Sequence, residues 1–255
     1  MTPQAKELTL RLPRHIAIIM DGNNRWMKQQ GGSGLSGHRA GIDAARRTIR
    51  LCAERGGIEC LTLFAFSSEN WQRPQREVSG LMTLFAHFLQ ASEVGQLHDS
   101  NIRLRFIGCR ERFSPKLRKL IEKAEMLTAN NTALTVLIAA DYGGRWDIAN
   151  AARQLAEQVK AGTLLPEEIT EQALHAHTAA SDLPAPDLCI RTGGEYRISN
   201  FLLWQFAYTE LYFTNTLWPD FDAAELEQAL AAFASRQRRY GKLSEQVEAG
   251  AGGLS

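Results

Sequence analysis

The chain has 255 residues, 44% of them hydrophobic and 22% charged, which is enough for one large core and ordinary for a globular domain. A formal net charge of +1 excludes broad electrostatic capture of nucleic acid, so any polyanion must be held by locally placed arginines. Four scattered cysteines, Cys52, Cys60, Cys109 and Cys189, form no CxxC pair and have no histidine at zinc spacing, which points to reduced structural thiols in a cytoplasmic protein.

Residues 1–14 read as an N-terminal arm without the apolar core of a signal peptide, and no apolar run approaches the ~18 residues of a membrane span. A soluble protein is expected. The first strand is the apolar run Ile16–Met20, of the composition buried on both faces. It breaks into Asp21-Gly22-Asn23-Asn24, residues that accept turn geometry, and then into Arg25 and Trp26. Lys28–Gly37 is polar and glycine-rich and reads as a mobile loop. A helix is predicted over Gly41–Arg55, stopped by Gly56-Gly57, and a second strand over Cys60–Phe66, followed at once by polar Ser67–Pro74.

One long helix is predicted from Glu77 to Asp99, with Val78, Leu81, Met82, Phe85, Phe88 and Leu89 on a wide apolar stripe. A third strand, Ile102–Gly108, precedes a helix over Ser114–Thr128, with Ser114 as N-cap and Pro115 at its first position. A fourth strand, Ala133–Ala140, runs into Asp141–Trp146. Asp147 is read as the cap of a helix reaching Ala161, and a shorter helix follows over Pro166–His177. Leu188–Arg191 and Glu210–Phe213 are the fifth and sixth strands. A helix over Asp222–Arg239 closes the fold, and 242–255 read as a disordered tail. Strands alternating with helices predict a single α/β domain over 15–241, built on a central, mostly parallel six-stranded sheet flanked by helices.

Three strand ends carry polar clusters: Asp21–Trp26, Ser67–Arg73 and Arg191–Ser199. In a parallel sheet all three lie on one edge, where open α/β sheets bind ligands. A single cluster of this kind is usually a solvated loop, and Glu210 alone is an ordinary surface strand residue. Three convergent clusters are not. Gly22, Asn23, Asn24 and Arg25 can present backbone N–H groups to phosphate oxygens, and Arg25, Arg73, Arg191 and Arg197 supply guanidinium forks. Asp21 and Glu210 are oxygen ligands suited to Mg²⁺. Trp26, Trp71 and Phe201 stand beside these clusters. The Val78–Leu89 stripe is either core packing or the wall of an apolar pocket. A ligand that needs both chemistries is an isoprenoid diphosphate.

The motifs HIAIIMDGNNRW (His15–Trp26), GHRAG (Gly37–Gly41), LTLFAFSSENWQRP (Leu61–Pro74) with Glu77, DYGGRWDI (Asp141–Ile148), DLCIRTGGEYRISNFLLWQFAYTELYF (Asp187–Phe213) and WPDF (Trp218–Phe221) resemble those of the bacterial cis-prenyltransferase family, from about His15 to Gly241. The resemblance implies a cytoplasmic homodimer. Its subunits add isopentenyl diphosphate to farnesyl diphosphate with cis geometry, using Mg²⁺, to make undecaprenyl diphosphate, the carrier lipid of cell-wall synthesis. Peripheral membrane contact for product release is the most it implies, and no nucleic acid.

By motif, Asp21 resembles the catalytic metal-binding aspartate, and Gly22, Asn23, Asn24, Arg25 and Trp26 the allylic diphosphate loop. His38 is similar to the phosphate-side histidine. Ser67, Ser68, Glu69, Asn70, Trp71 and Arg73 match the second motif, with Asn70 at the position assigned to proton removal. Arg191, Arg197, Ile198 and Ser199 resemble the isopentenyl diphosphate site, Glu210 the second metal ligand, and Arg239-Tyr240-Gly241 an element that reaches the neighbouring subunit's site. Ala65, Leu134 and the Val78–Leu89 helix would line an apolar product tunnel.

Three positions depart from the family pattern. Gly34 stands where many members carry an arginine, so one phosphate contact is either missing or supplied elsewhere, by Lys28 or Arg39. Tyr196 stands where some have histidine, and Asn24 where glycine is frequent. A neutral amide is no base near pH 7, so Asn70 is expected to orient rather than deprotonate. A phosphohydrolase with Asp21 as nucleophile would leave the second and third clusters without purpose. A non-catalytic subunit would be expected to have lost Asp21 or the arginines, all of which are present.

Overall fold

In a computed structural model, residues 11–236 are described. The elements in chain order are β1 (His15–Ile19), α1 (Asn23–Gln29), α2 (Ser36–Arg55), β2 (Cys60–Ser67), α3 (Gln75–Phe88), α4 (Ala91–Asp99), β3 (Ile102–Ile107), α5 (Pro115–Thr128), β4 (Leu134–Tyr142), α6 (Gly144–Lys160), α7 (Glu171–His177), β5 (Leu188–Arg191), β6 (Glu210–Phe213) and α8 (Ala223–Ala234). The six strands form one sheet in the order β3-β4-β2-β1-β5-β6, and every pairing is parallel.

Side chains that alternate across β1 split the core in two. Ile16 and Ile18 pack with Ala44, Ile49 and Cys52 of α2, Leu117 and Ile121 of α5, and Leu226 and Leu230 of α8. Ala17 and Ile19 face the other layer, with Leu137, Ala139, Cys189, Phe201 and Phe206. β1 is therefore buried throughout, as its uniform apolar composition requires. β2 carries a bulge near its end. Phe64 pairs with Ala139 and Phe66 with Ala140, so Ala65 has no partner in the ladder. Cys52, Cys60 and Cys189 are buried in these layers, and burial pushes each thiol up to about 12.

Several local expectations change. The long Glu77–Asp99 helix is two helices, because Gln90 is extended (φ −68°, ψ 154°) and swings α4 onto β3 and α5. The Lys28–Gly37 segment is helical at both ends, with non-helical residues 30–35 between. α1 runs through Gln29 and α2 begins at Ser36, so the GHRAG motif opens a helix rather than ending a loop. Gly37 owes its identity to packing, since a Cβ there would overlap the Asn23 carbonyl of α1.

Asp147 does not cap α6. It is a buried carboxylate inside the first turn, accepting hydrogen bonds from the Tyr142 hydroxyl (2.9 Å), the Ala179 amide (2.9 Å) and Gln205 Nε2 (3.1 Å). The Pro166–His177 helix is a single turn, Pro166–Glu168, followed by α7. Ser114 does cap α5, accepting from the Leu117 amide. Residues 1–10 of the arm, the far end of the last predicted helix, Arg239-Tyr240-Gly241 and the tail lie outside the described residues. Among the described residues no helix is long and apolar enough to cross a membrane.

Candidate active site

Because the sheet is parallel, the polar segments after β1, β2 and β5 emerge on one edge. Asp21 is fixed first through its backbone. Its amide donates to Thr192 Oγ1 (3.0 Å), the Thr192 hydroxyl returns a bond to its carbonyl (2.7 Å), and the Trp218 amide donates to the same carbonyl (3.0 Å). Gly193, at φ +83°, nests against this turn; a Cβ there would lie 2.5 Å from Arg25 Nη2. The Asp21 carboxylate then meets Arg191 Nη2 at 2.9 Å and Arg25 Nη2 at 3.3 Å.

Arg191 is only 4% exposed, and its other fork nitrogen donates to Ser199 Oγ (2.7 Å) and the Arg197 carbonyl. Its Nε is buried without a hydrogen-bond partner, as is His38 Nε2. Two buried, unsatisfied polar atoms beside a cavity are the signature of a place where a ligand completes the hydrogen bonding.

The second cluster is one tight turn, Ser68–Gln72. Asn70 Oδ1 accepts from the Ser67 amide (3.1 Å), so the Asn70 side chain closes its own turn. Glu69 accepts from Asn200 Nδ2 (2.7 Å) and Ser68 Oγ (3.1 Å). Burial works against its charge, yet the bonds from Asn200, its own amide, Ser68 and Ser67 together hold the carboxyl below its ordinary range. Arg73 donates to Glu77 Oε1 (2.8 Å), which lies 3.8 Å from His38 Nε2. Burial first, and the Arg73 charge second, pull His38 below the usual histidine range.

Asp21, Asn23, His38, Ser67, Glu69, Asn70, Arg73, Arg191, Arg197 and Ser199 surround a cavity of about 610 Å³. Gly22, Asn24 and Arg25 join Asp21, Asn23, His38 and Arg73 round a smaller space of about 110 Å³ at the start of α1. Met20, Asn23, His38, Phe64, Ala65 and Leu81 also border a third cavity, of about 120 Å³, which runs between α2, α3, β2 and β4 past Ile42, Met82, Phe85, Phe88 and Ile138. The polar and apolar spaces thus share a wall.

Other expected residues stand apart. Trp26 Nε1 donates to Asp220 Oδ1 (2.7 Å), tying α1 to the WPDF turn. Trp71 lies behind its turn, edge-on to Phe66 (5.1 Å) and under the Arg112 guanidinium (5.0 Å). Ile198 packs against the second core layer, and Phe201 is buried there, stacked on Phe64 at 4.3 Å. Leu134 is buried at the start of β4, and Ile138 takes the place on the apolar wall.

Glu210 is level with Leu188 and hence with Ile16, about 16 Å along the strand direction from Asp21 at ~3.3 Å per residue, and it pairs with Arg236 (3.0 Å). One chain does not bring these two carboxylates together. No group of three His, Cys, Asp or Glu residues is placed to hold a metal among the described residues. Gly34 leaves open space, and neither Lys28 nor Arg39 borders the cavities. Tyr196 is 73% exposed against Phe213.

Two residues at the site were not expected. Thr192 pins Asp21, and its only signal was its place between Arg191 and Gly193. Asn200, at φ 61°, borders the polar cavity and bonds Glu69; an Asn following Ser199 in a turn-forming stretch hinted at its left-handed backbone.

The prenyltransferase family model described as "Putative undecaprenyl diphosphate synthase" matches residues 19–241. The chain is 59% identical over 240 residues to the ditrans,polycis-undecaprenyl-diphosphate synthase ((2E,6E)-farnesyl-diphosphate specific) of Pseudomonas putida, covering 94% of this chain and 95% of that one. Among solved structures it is similar to lavandulyl diphosphate synthase from Lavandula x intermedia in complex with dimethylallyl diphosphate, with a TM-score of 0.87 and 39% identity over 91% of this chain and 99% of the other. It is also similar to a probable undecaprenyl diphosphate synthase from Campylobacter jejuni, with a TM-score of 0.74 and 33% identity over the same shares of each. With the strand-edge cluster of Asp21, Arg25, Arg73 and Arg191 in place, these matches show that the chain belongs to the undecaprenyl diphosphate synthase family of prenyltransferases.

Proposed function

We propose that this protein condenses isopentenyl diphosphate units onto farnesyl diphosphate with cis geometry to make undecaprenyl diphosphate. The observation that carries this reading is the shared wall. A cavity ringed by Asp21 and three arginines opens through Met20, Ala65 and Leu81 onto an apolar space walled by α2 and α3. A ligand with a diphosphate head and a hydrocarbon tail satisfies both.

In this reading the allylic diphosphate sits at the start of α1, against Arg25, Arg73, His38 and the amides of Gly22–Arg25. Isopentenyl diphosphate takes Arg191, Arg197 and Ser199. The arginines stabilise negative charge as the allylic diphosphate leaves, and the allylic carbon gains cationic character. The double bond of isopentenyl diphosphate attacks that carbon, and a proton leaves C2 of the incoming unit. Phe64, Ala65 and Leu81 keep water from the cation. Asn70 positions rather than deprotonates, because its amide oxygen is engaged by Ser67 and has no useful basicity near pH 7. The bases on the cavity wall are the Asp21 and Glu69 carboxylates and the diphosphate oxygens themselves.

Mg²⁺ fits this donor set in the mode that uses one carboxylate and substrate phosphates. Asp21 is a half-buried carboxylate on the cavity wall, and it would hold the ion. The ion supplies charge neutralisation at the leaving diphosphate. Glu210 contributes only if a second copy brings it, which favours a homodimer in which β6 of one subunit approaches Asp21 of the other. The absence of a spanning helix among the described residues is compatible with the cytoplasm and with peripheral membrane contact.

Purified protein incubated with farnesyl diphosphate, labelled isopentenyl diphosphate and Mg²⁺ should yield a long prenyl diphosphate when products are sized. Phosphate release without chain growth would overturn the assignment.

A further inference from the structure

The apolar cavity is too small for the proposed product. It encloses about 120 Å³, whereas pockets that hold even drug-sized ligands run to about 300–1,000 Å³. A chain of eleven isoprene units needs more. Phe88, the last residue of α3, lines the cavity and also borders a separate groove of about 490 Å³ between α2 and α4. The groove has an apolar floor of Ile49, Ala53, Leu97 and Ile102. Arg46, Arg50, Glu54 and Glu93 also line it, and Arg46 Nε, itself buried, meets Glu93 Oε2 at 3.0 Å across the two helices.

We propose that this α2/α4 groove is a second prenyl-chain site, into which the far end of the growing product passes once it displaces Phe88. The inference rests on the chain-elongation reading above and deepens it. Two features support hydrocarbon as the occupant. Phe88 lines both the groove and the tail cavity. The floor side chains Ile49, Ala53, Leu97 and Ile102 are apolar, and apolar burial stabilises a tail at about 25 cal/mol per Å².

Phe88 is then a specificity-determining partition. Its size sets how readily the chain crosses from the cavity into the groove, and the groove sets how far the chain can extend.

The test is product length, measured on the full chain with farnesyl diphosphate, labelled isopentenyl diphosphate and Mg²⁺. Ala53→Trp fills the groove from its floor and should shorten the main product by two or more isoprene units. Gln96→Trp, made at an exposed rim position, should shorten it in the same direction and guards against a floor variant that fails to fold. Phe88→Ala should shift products to lengths at or above those of the unaltered protein and reduce the accumulation of intermediate chains. If folded Ala53→Trp and Gln96→Trp both give the unaltered length, the groove holds no chain and the proposal fails. If the unaltered protein adds no isoprene unit at all, the elongation reading itself fails, a distinct result.

Discussion

The two ends of β1 handle polar groups in opposite ways. At the start, His15 is buried, and both ring nitrogens are used: Nδ1 on the Pro184 carbonyl (2.6 Å) and Nε2 on the Thr62 hydroxyl (2.7 Å). Burial drives its pKa down to about 4, so the ring is neutral and serves only to join the strand to its neighbours. At the other end, Asp21 keeps its charge partly open to solvent, between Arg25 and a buried Arg191 whose Nε has no partner. Five residues separate a group satisfied for stability from one left incomplete for a ligand. The strand supplies rigidity to both, and only the second end has chemistry left to offer.

This contrast can be broken by substitution. Asp21→Ala should lower turnover at least ~10³-fold, equivalent to about 4 kcal/mol of transition-state stabilisation, with Tm little changed; full activity would remove Asp21 from the site. His15→Ala should do the reverse, costing about 3 kcal/mol in denaturant unfolding through two lost buried hydrogen bonds and a cavity, while kcat per folded molecule stays within about twofold.

The same histidine predicts a pH dependence. Its folded pKa lies below its unfolded one, so the unfolded chain takes up the proton first. Stability should be complete above about pH 6.5, fall by about 3 kcal/mol as pH drops to about 4, and level off below. Loss of that slope in His15→Ala, followed by circular dichroism, checks the assignment, and an unchanged slope refutes it.

Arg191→Lys retains the charge but cannot reach Asp21, Ser199 and the Arg197 carbonyl together. A fall of about 10²-fold in kcat/KM for isopentenyl diphosphate is expected, in a direct kinetic comparison. Thr192→Val, nearly isosteric, removes the hydroxyl that holds the Asp21 backbone. It should cost about 1–2 kcal/mol of stability and about tenfold in kcat, and an unaffected kcat would show that the Trp218 bond suffices.

Much of this was legible in the chain. The six strands and their shared polar edge follow from apolar runs that each end abruptly in charge, and a parallel sheet converts that sequence pattern into a place. Asp21, Arg73, Arg191 and Ser199 meet there as their positions after strands imply. Other features depend on tertiary contacts that periodicity does not encode. The helix break at Gln90 arises because α4 turns onto β3, although the apolar stripe itself reads continuously. The loop expected over Lys28–Gly37 is shorter, residues 30–35, because Gly37 belongs to α2 and is small to let two helices touch. Asp147 looked like a cap because its three buried donors come from 5, 32 and 58 residues away. Glu210 looked like a partner for Asp21, but the register of three strands sets it at the opposite end of the sheet.

The bulge in β2 has a consequence for how such an enzyme can diversify. Ala65 is skipped by the ladder and borders both the diphosphate cavity and the tail cavity. Its side chain can therefore grow or change without a neighbouring strand having to shift register. A residue released from sheet pairing at the junction of two ligand spaces is a place where evolution can retune the shape of the product at little risk to folding.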